Sequence, residues 1–164
     1  MPPQNQPAGS IDEQLSTIDT LITQPFPEGK GDAKTEHGWG GAGFHIAILR
    51  ATQDFWEDRS PEIVEPAIEE LEVDLTALAG ILTERWGDPT TVDLWPYLGL
   101  DDPDYPNTEP VPEPLLSLCG LAADLLAWRI PCTGRWLGLT IGQADREFPF
   151  ELLAAVGEES SFPQ

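Results

Sequence analysis

Apolar positions recur along this chain with two periods. Ile11, Leu15, Ile18 and Ile22 are spaced 4-3-4, which gathers them on one face of a helix. Ser10 and Glu13 open that helix as a capping box, each side chain reaching a backbone N–H at the other end of the turn. Pro25 and Pro27 stop it. The same period returns at Val64, Ile68, Leu71, Leu75, Leu78 and Leu82. Ser60 supplies an N-cap, Pro61 a first-turn proline and Gly87 a residue free to take positive φ, so a helix is predicted over 61–86. Pro66 interrupts it. An interior proline forfeits a hydrogen bond, so the helix is expected to kink there or to begin near it.

Period two takes over in the last third. Leu126, Trp128 and Ile130 alternate with Ala127 and Arg129, and the turn Pro131-Cys132-Thr133-Gly134 follows. Leu137, Leu139 and Ile141 then share a face, and after a second turn at 142–145 come Phe148, Phe150, Leu152, Ala154 and Val156. This predicts a three-stranded antiparallel meander, with Pro149 confining the last strand to a sheet edge at that point. Residues 44–49 read as a strand that could instead continue as helix through Phe55 and Trp56, and 92–94 as a short strand. Residues 25–43 read as loop, with the glycines of 38–43 as a hinge or turn, and 88–114 as a long Pro/Asp-rich loop. The predicted fold class is α+β: a long amphipathic helix plus an N-terminal helix packed on a small antiparallel sheet with a C-terminal three-stranded meander.

Length and composition bound this picture. The 164 residues suffice for one domain with a real core. Residues 1–9, rich in Pro, Gln and Asn, are expected to be disordered, 10–157 to form the domain, and 158–164 to be a flexible tail.

Charge changes the picture more. There are 29 acidic residues against 8 basic ones, a formal net of −21. Such a chain is repelled by nucleic-acid phosphates and by anionic membranes, and it suits a basic protein partner; solubility alone is the other reading. The acids gather at Glu62, Glu65, Glu69, Glu70, Glu72 and Asp74 and again at Asp101, Asp102 and Asp104, while Arg85, Arg129, Arg135 and Arg146 lie near the expected sheet and helix end. No apolar run approaches the ~18–20 residues of a membrane span, and the first residues lack a basic-then-apolar leader pattern, so the expected compartment is the cytoplasm.

Candidate chemistry adds little. His37 and His45 have no ligand-spaced His or Cys beside them, so no metal site is expected. Counted as a calcium loop from Asp102, the segment has Pro106 at the fifth position and Asn107, not glycine, at the sixth. The glycines of 38–43 lack the Lys-Ser/Thr of a phosphate loop, and Ser117 lacks a nucleophile-elbow pattern. Cys119 reads as a small buried hydrophobe and Cys132 as a turn residue. No catalytic residue and no cofactor is expected. Trp128 and Trp136 flank the hairpin turn and are expected near one another, either as core or, with Arg129 and Arg135, as an exposed binding patch; core is the favoured reading.

Two blocks carry a resemblance: Arg85-Trp86-Gly87-Asp88-Pro89, and the stretch from Trp128-Arg129-Ile130 through Arg135-Trp136-Leu137 to Gly142-Gln143-Ala144-Asp145-Arg146-Glu147-Phe148-Pro149-Phe150-Glu151-Leu152. They look like small acidic proteins of actinobacterial genomes. In size, acidity and α+β make-up these are similar to immunity proteins that neutralise polymorphic toxins. The likeness rests on no motif, so no functional residue carries over.

The leading expectation is a non-enzymatic acidic domain that binds a basic protein, such as a toxin covered by an immunity-type inhibitor or a DNA-binding protein, with no direct contact to nucleic acid. One alternative is a DNA mimic, which needs two rows of carboxylates at duplex spacing. Another is a small-molecule binder or enzyme using the 88–114 loop and the Trp/Arg surface, which needs a deep pocket with convergent polar groups.

Overall fold

A computed structural model describes residues 11–26, 33–34, 38–41, 43–94, 115–144 and 147–162. In chain order the elements are α1 (Ile11–Thr23), β1 (Ala33–Lys34), β2 (Gly38–Gly41), β3 (Phe44–Ala51), α2 (Pro61–Trp86), β4 (Thr90–Asp93), a short α3 (Leu115–Cys119), β5 (Asp124–Ile130), β6 (Arg135–Gly142) and β7 (Glu151–Glu158). A 3-10 turn at Glu159–Ser161 follows. The strands form one antiparallel sheet in the order β1-β2-β3-β7-β6-β5-β4. The fold is α+β, and β5, β6 and β7 form the expected C-terminal meander.

Both faces of the sheet are covered. On one face Ile18 and Leu21 of α1 and Leu71, Leu78 and Leu82 of α2 pack on Leu49, Trp128, Leu137, Leu139 and Val156. On the other, Leu115, Leu118 and Cys119 of α3 meet Phe44, Ile46, Leu125, Ala127, Trp136, Leu153 and Ala155. The strand β7 explains why one sheet can carry two cores. Leu152, Ala154 and Val156 enter the first and Leu153 and Ala155 the second, so its apolar run has no polar face.

Several expectations need correction. Pro149 predicts a sheet edge for the last strand, but β7 begins at Glu151, beyond that proline, and lies between β3 and β6. Its central position is possible because proline stays outside the hydrogen-bonded ladder. The glycine-rich stretch is strand β2. A Cβ on Gly38 would fall 2.2 Å from the Ile46 carbonyl oxygen, so the residue is small because β3 passes close by. Pro66 neither starts nor ends α2, which runs unbroken from Pro61. Ser60 occupies the N-cap position without a side-chain cap bond; its own N–H donates to Asp58 Oδ1 at 2.8 Å, and this bond holds the Asp58 carboxyl below its ordinary pKa. On α1 the buried face is turned toward Gln14, Thr17, Ile18 and Leu21, with Ile11, Leu15 and Ile22 along its margins. The tail is not free throughout. Phe162 lies edge-on against Trp136, centroids 5.7 Å apart, within the second core. Ser10, residues 1–9, His37 and the segment 95–114 with Asp101, Asp102 and Asp104 lie outside the described residues.

A β-bulge in β3 sets up the most polar junction of the fold. Ile48 pairs with Leu153 and Arg50 with Leu152, so Leu49 is the extra residue. Without it Arg50 would share the face of Ile48. With it, the guanidinium reaches the helix side, where Nη1 donates to Asp74 Oδ2 at 3.0 Å and Nη2 lies 3.6 Å from Glu70 Oε2. Gln14 Nε2 of α1 donates to the same Asp74 oxygen at 3.0 Å. Farther along, Arg85 of α2 holds Asp19 of α1 at 2.9 Å.

Candidate functional site

The acidic first half of α2 is where sequence and structure concentrate unpaired charge. Its helical phase turns Ala67 and Leu71 inward and leaves Glu62, Glu65, Glu69 and Glu72 exposed, a 3-4-3 row along one side. These four make no ion pair among the described residues. The six acids expected to act together in fact divide. Asp74, its side chain only 15 % exposed, is the junction residue between α1, α2 and β3, and Glu70 shares its arginine. Both are committed to the fold rather than free for a partner.

Beside this row lies a shallow open groove of about 590 Å³, lined by Gln53, Ile63, Pro66, Ala67 and Val73 together with Glu62, Glu69 and Glu70. Ile63 is 39 % exposed and Val73 68 %. A helix exposing a β-branched pair between carboxylates has an apolar strip that nothing in the described fold covers. The sequence held a signal for it: Ile63 and Val73 fall off the 4-3-4 stripe, so they cannot face the sheet when that stripe does.

The described arginines are spoken for. Arg50 binds Glu70 and Asp74, Arg59 lies 3.6 Å from Glu147, and Arg85 pairs with Asp19. Arg129 lies 3.5 Å from Glu159, with its guanidinium 4.0 Å from the Phe162 ring centre. Arg135 acts on the end of α1: its Nη1 donates to the Leu21 and Gln24 carbonyls at 3.0 and 2.8 Å, and it lies 4.1 Å from the Phe26 ring centre. A cation on orphan C-terminal carbonyls is a helix cap, and partial burial draws its pKa below the ordinary arginine value. His45 completes that anchor. Its ring lies 5.1 Å from Phe26, its Nε2 donates to the Pro25 carbonyl at 3.0 Å, and its Nδ1 has no partner among the described residues. Burial pushes the imidazole pKa down.

Trp128 and Trp136 are core residues, the favoured reading, and the alternative Trp/Arg patch does not form a surface. Trp128 and Trp136 are buried, and they face opposite sides of the sheet, because Trp128 pairs with Leu137 and Trp136 with Arg129. The four-residue turn fixes that register. Arg129 and Arg135 are accordingly on opposite faces too, each with a local partner.

No three His, Cys, Asp or Glu side chains group to hold a metal ion among the described residues. Cys119 is buried and Cys132 exposed, and neither is in a disulfide. No helix among the described residues is long and apolar enough to cross a membrane. On the other flank of α2 lie two shallow clefts. One, of about 400 Å³, is lined by Arg59, Val64, Gln143 and Phe150; the second, of about 300 Å³, includes Ile68, Leu75, Leu126 and Ile141. In the first, the polar groups are turned elsewhere: Arg59 to Glu147, and Gln143 Nε2 to the Phe148 carbonyl at 2.8 Å.

No family model matches the chain, and neither a curated protein nor a solved structure matches it.

Proposed function

We propose that this protein is a non-enzymatic binding domain that docks a basic partner protein against the first half of α2. The observation that carries the reading is the groove in which exposed Ile63 and Val73 lie between Glu62, Glu69 and Glu70, next to a row of unpaired carboxylates. Apolar contact area supplies affinity, and the surrounding negative charge steers a cationic partner and rejects acidic ones. The most concrete form is an immunity-type inhibitor that covers a basic surface on a toxin, a form supported by the likeness in size, acidity and make-up. A DNA mimic would need two rows of carboxylates at duplex spacing, and Glu62, Glu65, Glu69 and Glu72 supply only one.

The test is affinity capture on the immobilised full chain at low salt, followed by binding measurements with each captured protein after purification. A basic partner should bind the wild-type chain, weaken steeply with salt, and lose about tenfold or more with Glu62→Lys/Glu69→Lys, since charge reversal replaces attraction with repulsion. Partners indifferent to those two positions would sink the reading.

A further inference from the structure

Outside the α2 groove, the largest exposed aromatic among the described residues is Trp56, 61 % exposed, beside Phe148, 41 % exposed. Their ring centroids are 5.5 Å apart with the planes inclined by 53°. The pair is not a loose loop tip. Two connections far apart in sequence are tied together beneath it. Thr52 N–H donates to the Phe150 carbonyl at 2.9 Å, Phe55 N–H to the Glu147 carbonyl at 2.8 Å, and Phe150 N–H to Thr52 Oγ1 at 3.0 Å. Phe55 is buried and meets Phe150 edge-on, at 5.8 Å. The four rings thus divide: Phe55 and Phe150 anchor the connections inward, and Trp56 and Phe148 are held outward on a fixed base.

The surroundings of the pair are anionic. Segments 54–59 and 147–148 carry Asp54, Glu57, Asp58 and Glu147 against Arg59, an excess of three negative charges. Asp54, Glu57 and Asp58 are exposed, and Arg59 is turned to Glu147. An exposed indole flanked along the chain by exposed carboxylates has the chemistry to receive a cation, through the ring quadrupole and Coulomb attraction together. A guanidinium suits it better than an ammonium, because it is planar, stacks on rings and sheds water more easily.

From this we infer that Trp56 and Phe148 form an arginine-accepting shelf, the hot spot on which a basic segment of the partner is anchored. This inference rests on the proposed docking function and names the chemistry that gives it specificity. Gln53, three residues before Trp56, lines the α2 groove, so the shelf and the groove belong to consecutive stretches of chain. The anchoring residue is an arginine, and the apolar strip of Ile63 and Val73 takes aliphatic side chains of the same segment.

The experiment is calorimetric titration of the full chain with two decapeptides, one arginine-alanine and one lysine-alanine, at physiological salt. The arginine peptide should bind more tightly, and Trp56→Ala should weaken it by roughly three- to tenfold, the range of a partly desolvated cation–π contact. The same variant should narrow the gap between the two peptides and leave the unfolding midpoint unchanged, because most of the side chain is already in solvent. A difference in indole fluorescence between wild type and Trp56→Phe on adding peptide gives an independent readout. Wild-type affinity in Trp56→Ala overturns the shelf. If Glu62→Gln/Glu69→Gln still weakens binding in that case, the docking function stands without it. Failure of both variants to alter binding overturns both. Self-association that Trp56→Ala abolishes, seen by sedimentation, would assign the aromatic pair to a second copy of the chain and also overturn it.

Discussion

The two halves of α2 carry one continuous apolar stripe and meet different surroundings. In the second half, Leu78 and Leu82 are fully buried on the sheet and Arg85 is tied to α1 through Asp19. In the first half, the stripe still reaches the sheet at Leu71, but Ile63 and Val73 stand in solvent among carboxylates. Asp74 marks the boundary, since it is the last acid of the run and the one that α1 and β3 both grip. The difference teaches that acidity along one helix need not mean one thing. The same residue type closes a buried junction at position 74 and remains available to a partner at 62, 65, 69 and 72.

That contrast can be broken by mutation. Leu78→Ala should cost about 2–5 kcal/mol in denaturant unfolding, the range for removing a buried leucine side chain. Asp74→Ala should cost about 1–3 kcal/mol by the same measurement, because it leaves the Gln14 amide and the Arg50 guanidinium without their shared acceptor. If the boundary lies at Asp74, Glu69→Ala should cost far less than Asp74→Ala.

Acid sharpens the comparison from another side. His45 has a folded-state pKa below its ordinary 6.5, with burial as the main cause and the Arg135 charge adding to it. As pH falls below 6.5 the unfolded chain takes up the proton first, so this contribution to stability is full above that value and drains away as pH drops through the folded pKa. Since His45 and Arg135 hold the end of α1, amide exchange near Leu21–Gln24 should quicken as pH falls, before the first half of α2 responds. His45→Phe should flatten the slope. The smallest effect belongs to Val73→Ser, which should shift stability by within about 0.5 kcal/mol, as for a surface change away from any junction.

How much of this was legible in the sequence follows from how local each signal is. The ends of α2 were readable because Ser60-Pro61 and Gly87 act within a turn of themselves, and Gly87 does take positive φ, as does Gly134 in the hairpin. Strand β2 was not, because glycines offer no side chains to alternate, and the closeness of Ile46 that requires Gly38 arises only once β3 pairs with it. The place of β7 was hidden for a similar reason: its neighbours β3 and β6 are chosen by long-range pairing, and its run Leu152-Leu153-Ala154-Ala155-Val156 reads as alternation only if the odd positions are ignored. The faces of Trp128 and Trp136 were within reach, since a four-residue turn determines the parity of everything across it. The carboxylates at 62, 65, 69 and 72 were readable from helical phase. The aromatic pair of Trp56 and Phe148 was not, because it depends on tying residues 52–55 to 147–150.

The central position of β7 has a consequence for synthesis. Among the described strands, β1 to β3 and β4 to β6 join one sheet only through β7, the last of the seven to be translated. Until Glu151–Glu158 is free to pair, the nascent protein can form at most two partial sheets, each with an open hydrogen-bonding edge and a half-built core. Such edges are the surfaces on which growing chains pair wrongly with one another. Closure must wait for the final strand to emerge, which makes the interval before it the period in which this protein depends most on being kept apart from its own copies.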